Sequence, residues 1–237
     1  MIGALLLAAG SGSRMKGEVK DKLLQPIGSS NAFLLSCDAF MQSNPIEYLV
    51  ILYKNATQLE KLQSALEDKL YSLSSKTKIH WVQGGQERQD SVWAGLCELP
   101  DEVTHVLIHD CARPFIKPKT ICEAADLIAQ DQAVCVARPL KDTLRLRTDP
   151  SIHPMQPSPT QTINRENHWV METPQGGPKK WLIDGLMQAR ESQISITDDI
   201  AALELNGHPV IMLEPNYPNP KITTPDDFSY ATFLSQS

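Results

Sequence analysis

Met1-Ile2-Gly3-Ala4-Leu5-Leu6-Leu7-Ala8-Ala9-Gly10-Ser11-Gly12-Ser13-Arg14-Met15 opens the chain, with Lys20, Lys22 and Pro26 close behind. Ile2 to Leu7 is an unbroken apolar run, too short for a membrane span, and it reads as a strand buried on both faces. Small residues, Ala8-Ala9-Gly10-Ser11-Gly12, stop the run. They let a backbone approach a ligand closely, and the glycines permit turns at positive φ. Successive backbone N–H groups in such a loop form a concave anion site. Arg14 and Lys22 add fixed positive charge beside it. Strand, glycine-rich turn and flanking cations together suit a polyphosphate.

Two familiar phosphate loops do not fit. A dinucleotide fingerprint needs a third glycine where Met15 stands, and no G-x-x-x-x-G-K-[ST] occurs. Gly10 and Gly12 alone are equally compatible with a plain surface turn between strand and helix. The longer string L-x-A-A-G-x-G-x-R-M followed by lysine is more specific. It resembles nucleotidyltransferases that join a nucleoside triphosphate to a phosphorylated small molecule.

The totals bound the rest. A chain of 237 residues is one large α/β domain or two small ones on length alone. The apolar fraction of 41% and charged fraction of 21% are those of an ordinary globular protein. The net charge of −6 provides no global attraction for nucleic acid, so an anionic substrate must be met by local cations. Five cysteines, with no C-x-x-C pair, argue for a reducing compartment and against a disulfide frame or structural zinc. His105 and His109 lie four apart on an expected strand and read as core or edge histidines rather than ligands. The opening run lacks a basic n-region and is short for a signal peptide. No segment approaches the roughly 20 apolar residues of a membrane helix. The expectation is a cytoplasmic protein.

Along the chain, the pattern predicts a helix over Asn31 to Gln42 and a strand over Glu47 to Tyr53. An amphipathic helix follows over Ala56 to Tyr71, its Leu59, Leu62, Leu66 and Leu70 forming a core stripe, and then a strand over Lys78 to Gln83. Alternating strands and helices with short links imply βαβ units and a parallel sheet. Gly84-Gly85-Gln86-Glu87-Arg88-Gln89-Asp90-Ser91-Val92 then closes a strand and opens a helix. Ligands of open α/β sheets bind beyond the carboxyl ends of strands, where this loop lies. Ser91 either donates to a ligand from the first turn or, with Asp90, only caps the helix.

Thr104 to Ile108 is expected as a strand ending in His109-Asp110-Cys111-Ala112-Arg113-Pro114. Charge at the end of an apolar strand is costly unless used or paired. Asp110 suits a metal or a ribose hydroxyl; Arg113 suits phosphate, or pairs with Asp110. A helix over Thr120 to Ala129 and a strand over Ala133 to Ala137 follow. Lys141 to Arg147 then alternates polar and apolar, four prolines interrupt 150–159, and Gln161 to Asn164 returns as a partner strand. This is a projecting β-arm at about 140–165, too short for its own core, and it is expected to pack against another subunit. Beyond it come Trp169 to Glu172, the run Thr173-Pro-Gln-Gly-Gly177, a helix from Lys179 to Glu191, and a helix over Ile200 to Leu205 capped by Thr197 or Asp198. A strand over Pro209 to Leu213 precedes a last helix capped by Thr224, with Pro225 at its first position.

Read in order, L-L-A-A-G-S-G-S-R-M, G-G-Q-E-R-Q-D-S-V, H-D-C-A-R-P, K-D-T, N-R-x-x-x-W, T-P-Q, I-T-D-D and K-I-T-T-P-D-D resemble the 2-C-methyl-D-erythritol 4-phosphate cytidylyltransferases of the non-mevalonate isoprenoid pathway. The likeness covers nearly the whole chain. It implies a single nucleotidyltransferase domain, residues 1–237, with a Rossmann-like, mostly parallel twisted sheet flanked by helices and a protruding β-arm. It further implies a homodimer joined through the arm and Mg²⁺ or another divalent cation as cofactor. The implied reaction takes CTP and a polyol phosphate to the CDP-linked product and pyrophosphate, without nucleic acid or membrane.

The same resemblance assigns residues. Ala8, Ala9, Gly10 and Gly12 match the loop around cytidine and triphosphate; Arg14 and Lys22 match phosphate-binding cations. Gly85, Gln86 and Ser91 match a cytosine loop. Asp110, Ala112, Arg113 and Thr143 match ribose or sugar-phosphate contacts, with Asp110 a candidate for metal. Arg165 and Thr197 match residues reaching the other subunit's substrate, and Lys221 a lysine at the reacting phosphate. The chain departs from the pattern where Asp21-Lys22 replaces Pro-Lys, which makes Lys20 a rival for Lys22. Gln86 stands where an acid is common, and Cys111 where alanine is. Ribitol-5-phosphate cytidylyltransferases are the nearest alternative, then sugar-1-phosphate nucleotidyltransferases; a non-catalytic nucleotide-binding protein is the alternative from another class.

Overall fold

The apolar opening run forms β1, Ile2–Leu7, hydrogen-bonded on both sides to parallel neighbours. The structure, a computed structural model, describes residues 1–10, 21–70, 76–153 and 155–236. A two-residue ribbon, β2 (Pro26–Ile27) and β3 (Ser30–Asn31), leads into α1, Ala32–Met41. Asn31 caps α1, its side chain accepting the Leu34 N–H at 2.9 Å. Then come β4 (Ile46–Tyr53), α2 (Ala56–Leu70), β5 (Lys78–Gln83), α3 (Arg88–Glu98), β6 (His105–Asp110) and α4 (Pro118–Ile128). β7 is Ala133–Pro139; β8 (Leu144–Arg147) and β9 (Thr160–Ile163) form a separate antiparallel pair. β10 (Trp169–Pro178), α5 (Lys179–Glu191), α6 (Asp199–Leu205), β11 (Val210–Leu213) and α7 (Asp226–Leu234) complete the described chain.

Seven strands make one sheet in the order β11-β7-β10-β6-β1-β4-β5. Side chains of a strand alternate between faces, and the core follows that rule. Ala4 and Leu6 of β1 join a cluster with Phe33 and Phe40 of α1, Leu62 and Leu66 of α2, and Ile121 of α4. Leu5 joins the opposite cluster with Val92 and Leu96 of α3, Leu182 of α5 and Leu203 of α6. The two-faced burial expected of Ile2 to Leu7 is therefore the centre of a helix–sheet–helix sandwich. Leu62 and Leu66 of the α2 stripe are core, as read, and Leu59 is half-buried; the Leu70 side chain lies outside the described residues.

β10 departs from the purely parallel pattern of the βαβ units. It runs antiparallel between β6 and β7, so the sheet is mostly, not wholly, parallel. The Thr173-Pro-Gln-Gly-Gly177 run belongs to this strand. Pro174 is tolerated because it falls between Met171 and Gln175, where the pairing with β7 is irregular. Gly176 is required by close approach: a Cβ there would stand 2.1 Å from the Val106 carbonyl oxygen.

The last helix also begins differently from the reading. Pro225 is its N-cap, and Asp227 takes over the capping work. Its carboxylate accepts the Thr223 N–H at 2.7 Å, the Thr223 hydroxyl at 2.8 Å and the Thr224 N–H at 2.8 Å. An acid in the first turn also suits the helix dipole.

α5 and α6 touch at Gly185, where a Cβ would lie 1.9 Å from the Ala202 carbonyl oxygen. Backbone cannot yield as a flexible side chain can. Gly185→Ala is therefore expected to cost about 3 kcal/mol, at the upper end for overpacking. That lowers Tm by roughly 6–12 °C for a chain of this size. A thermal melt matching that of the unsubstituted protein would show that the two helices can separate.

Candidate functional site

Where β1 lies between β6 and β4, the chain reverses its direction of winding across the sheet. α1 and α2 cover one face and α3 the other. Such a switch point leaves a crevice beyond the carboxyl ends of the strands. A cavity of about 450 Å³ occupies it. Its walls come from Leu7–Gly10 after β1, Lys54 after β4, Gly85–Arg88 and Ser91 around the start of α3, Asp110 and Ala112 at the end of β6, and Lys22, Leu23, Lys221 and Thr223.

The floor is Ala8-Ala9-Gly10. Ala8 is fully buried, its N–H donating to the Leu52 carbonyl at 2.9 Å. Gly10 has no positive φ, and an added Cβ would meet none of the described residues within 4 Å. The described residues make no demand for glycine there, and Gly10 lines the cavity. Gly84 and Gly85 are different. A Cβ on Gly84 would lie 2.6 Å from the Ala9 Cβ, and one on Gly85 would lie 2.3 Å from the Asp90 Cβ. This loop is folded tightly by its own contacts. Glu87 and Asp90 form a capping box at the start of α3. Ser91 Oγ accepts the Gly85 N–H at 3.1 Å and donates to the Glu87 carbonyl at 3.2 Å. Of the two readings of Ser91, the observed contacts are those of a side chain shaping the loop.

Asp110 is 8% exposed and carries the site's electrostatics. Lys221 Nζ donates to its Oδ2 at 2.5 Å, and Arg88 Nε stands 3.5 Å from its Oδ1. Burial draws this carboxyl toward protonation, but Arg88 and Lys221 outweigh it and hold the group well below the usual carboxylate range. Arg88 also grips Asp199 with both terminal nitrogens, at 2.8 and 2.6 Å. Burial raises the Asp199 pKa against that pull. Lys22 Nζ donates to the Ile222 carbonyl at 2.9 Å, and the Ile222 N–H donates to the Ala112 carbonyl at 2.8 Å. Both lysines are thus fastened to one short segment of the C-terminal region.

Ala8, Ala9, Gly10, Lys22, Gly85, Gln86, Ser91, Asp110, Ala112 and Lys221 accordingly meet around one cavity. Gly12, Arg14 and the rival Lys20 lie outside the described residues. Arg113 faces away from the cavity and does not pair with Asp110. Its guanidinium donates to the Asn219 carbonyl at 3.0 Å and the Met171 carbonyl at 3.2 Å. Thr143 and Arg165 sit exposed on the arm, with Arg165 donating to the Lys141 carbonyl. Thr197 is exposed just ahead of α6, whose cap is Asp198, accepting the Ala201 N–H at 3.0 Å. His109 is a core histidine, as expected. It is fully buried, bonded to the Arg113 carbonyl at 3.1 Å and Thr173 at 2.9 Å, and burial pushes its pKa down to about 4. Arg88 and Lys54 line the cavity without having been singled out in the sequence. A cation in the first turn of a helix, or at the end of a strand, looks like ordinary solvated surface.

The described residues include no group of three or more His, Cys, Asp or Glu side chains arranged to hold a metal. They include no helix long and apolar enough to cross a membrane.

Comparison with known proteins agrees with this geometry. A curated relative from Gloeobacter violaceus, a 2-C-methyl-D-erythritol 4-phosphate cytidylyltransferase, is 34% identical over 227 residues, covering 96% of this chain and 93% of its own. One of the same name from Prochlorococcus marinus strain MIT 9313 is 35% identical, with 96% and 95% covered. The crystal structure of 4-diphosphocytidyl-2C-methyl-D-erythritol synthase from Anaerococcus prevotii superposes with a TM-score of 0.82 at 25% identity, covering 100% of this chain and 96% of that one. The match to the family described as 2-C-methyl-D-erythritol 4-phosphate cytidylyltransferase extends over residues 2–237, and the chain belongs to that family.

Proposed function

We propose that this chain joins CTP to 2-C-methyl-D-erythritol 4-phosphate, giving the CDP-linked alcohol and pyrophosphate for isoprenoid precursor synthesis. The observation that carries the reading is the convergence of Lys22, Lys221 and the Ala8-Ala9-Gly10 floor on the cavity that Gly85, Gln86 and Asp110 also line. The names of the curated relatives favour the methylerythritol phosphate over ribitol phosphate.

In this reading the nucleotide lies across the carboxyl ends of β1, β5 and β6. The base meets the Gly85–Ser91 loop, the ribose meets Asp110 and Ala112, and the phosphates lie over Gly10. A phosphate oxygen of the alcohol substrate attacks the α-phosphorus in line. A new P–O bond forms as the bond to the β-phosphate breaks, and pyrophosphate leaves with its electron pair. The attacking oxygen is already ionised at pH 7, so no general base is needed. What the site supplies is position and charge. Two polyanions at close range repel; a unit pair at 4 Å is worth roughly 4 kcal/mol at an effective dielectric of 20. Lys22, Lys221 and Arg14 offset that repulsion.

Asp110 would be a carboxylate available to Mg²⁺, and with no group of three or more acids or other ligating side chains among the described residues the ion would be carried largely by phosphate oxygens, where it would neutralise charge. The arm supports a homodimer. Leu144, Leu146, Trp169 and Val170 are exposed on the arm and at its root by 42, 51, 38 and 48%, and a two-stranded ribbon needs something to pack on. Arg165 and Thr143 on that arm, and Thr197, would then complete the neighbour's polyol-phosphate site. The cysteine usage and the small phosphorylated substrates favour a cytoplasmic setting.

Pyrophosphate release with each nucleoside triphosphate and each polyol phosphate tests the reading directly; turnover with ribitol 5-phosphate but not the methylerythritol phosphate would overturn it. Lys22→Ala and Lys221→Ala should each lower kcat by roughly 100-fold, the usual contribution of one preorganised donor. Near-normal Lys22→Ala beside inactive Lys20→Ala would assign the lysine role to Lys20. Gly10→Ala should leave Tm within about 1 °C, since the described residues leave room for the methyl, yet raise the KM for CTP. Arg165→Ala should raise KM for the polyol phosphate alone, and equal losses for both substrates would remove it from the partner's site.

A further inference from the structure

Three stretches beside the cavity meet on one side chain that does not itself line it. Gln58 is the third residue of α2 and is 9% exposed. Its amide nitrogen donates both to the Ala8 carbonyl, in the floor, and to Asp21 Oδ2, next to Lys22. Its amide oxygen accepts the N–H of Lys54, at the end of β4, at 2.7 Å. A carboxamide nitrogen has two N–H groups, and two acceptors face this one, so it has nothing left to give. The Gln58 backbone is anchored too, its N–H donating to the Asn55 carbonyl and to Asn55 Oδ1, each at 3.0 Å. Leu62 and Leu66, four and eight residues on, bury the same face of α2 in the core.

We infer that Gln58 is a positioning residue for Lys22: through Asp21 it holds the turn that presents the lysine in a fixed place relative to the Ala8-Ala9-Gly10 floor, and the rate of transfer depends on that bond. The Ala8 carbonyl and the Lys54 N–H are backbone groups that need partners wherever they are buried. Asp21 is different. It is half-buried, so water could satisfy it, yet one oxygen is bonded to Gln58 and the other to the Leu23 N–H. Those two bonds bracket Lys22. A bond to a carboxylate is also roughly twice as strong as one between neutral groups. The head of Lys22 has a contact of its own, the Ile222 carbonyl, so Gln58 governs the backbone from which that head is presented. A misplacement of about 1 Å can cost on the order of 100-fold in rate.

The inference rests on the proposed transfer and on the part of Lys22 in it, and the experiment separates them. Steady-state pyrophosphate release from CTP and 2-C-methyl-D-erythritol 4-phosphate would be measured on the full-length protein, with thermal melts alongside. No turnover by the unsubstituted protein refutes the proposed reaction, and this inference with it. Turnover with near-normal Lys22→Ala overturns the inference alone, since nothing would then depend on where Lys22 stands. Gln58→Glu sets two carboxylates within hydrogen-bond distance and should lower kcat about tenfold, with each KM changed less than about threefold. Asp21→Asn removes the charge and one of the two acceptors and should lower kcat likewise. The double variant Asp21→Asn/Gln58→Glu reverses the bond, position 21 now donating, and should return kcat to within about threefold of the unsubstituted value. In a Lys22→Ala background, Gln58→Glu should cost no further activity. If Gln58→Glu melts below the assay temperature, Gln58→Met, similar in length and unable to bond Asp21, takes its place in that comparison. Additive losses in the Lys22→Ala background overturn the inference while leaving the reaction in place. So does a double variant no better than its singles, because Gln58 would then act on the floor alone and not through Asp21.

Discussion

A carboxylate buried at the end of a central strand cannot remain charged by itself, and the active end of this protein is built around that constraint. Desolvating an ion costs several kcal/mol even after relaxation. Asp110 meets that cost with cations from two distant parts of the chain: Arg88, at the start of the helix after the edge strand, and Lys221, near the C-terminus. The demand reaches further. To bring Lys221 to Asp110, residues 219–223 must return across the sheet's carboxyl edge, and they are fastened there by backbone. Arg113 donates to the Asn219 carbonyl, Ile222 donates to Ala112, and Lys22 donates to the Ile222 carbonyl. One buried charge thus explains why basic residues separated by about two hundred positions stand around one cavity.

The division between what the amino-acid sequence disclosed and what it concealed follows from the range of the interactions involved. β1, β4, β5 and the stripe on α2 were legible because burial on a sheet or helix face imposes a short period. β10 was less so, since its proline and paired glycines read as a break; only the facing strand shows that the proline sits in a lapse of pairing and that Gly176 is demanded by the Val106 carbonyl. The candidate site was legible as motifs because each loop carries small or charged residues where a strand ends. Partner choice was not. Lys221 rather than Arg113 neutralises Asp110 because the chain returns on that side, and no local pattern encodes it. Arg88 was missed for the same reason: its main partner, Asp199, lies 111 residues away, and a helix's first turn is an unremarkable place for arginine.

The glycines separate folding from binding more sharply than their motifs do. Gly84, Gly85, Gly176 and Gly185 are each forced by atoms of the chain itself, at distances a methyl cannot tolerate. Gly10 is not forced by the described residues: it has neither a positive φ nor, among them, a neighbour within 4 Å of a would-be Cβ, and it lines the cavity.

Asp21-Lys22, where the sequence resemblance leads one to expect Pro-Lys, shows how a turn can be held by hydrogen bonds. A proline would hold the turn through its ring. Here Asp21 Oδ1 accepts the Leu23 N–H at 3.0 Å, and Oδ2 accepts from Gln58 at 3.0 Å. The same Gln58 amide donates to the Ala8 carbonyl at 3.2 Å. Gln58 is buried at the start of α2, so its position is set by the core rather than by solvent. It ties the wall of the glycine-rich floor to the turn that presents Lys22. Asp21 is half-buried and its Gln58 donor buried, so the residue before Lys22 is held by hydrogen bonds rather than by a ring. Because Gln58 belongs to a core helix and not to a loop, Lys22 and the Ala8-Ala9-Gly10 floor hold their spacing together.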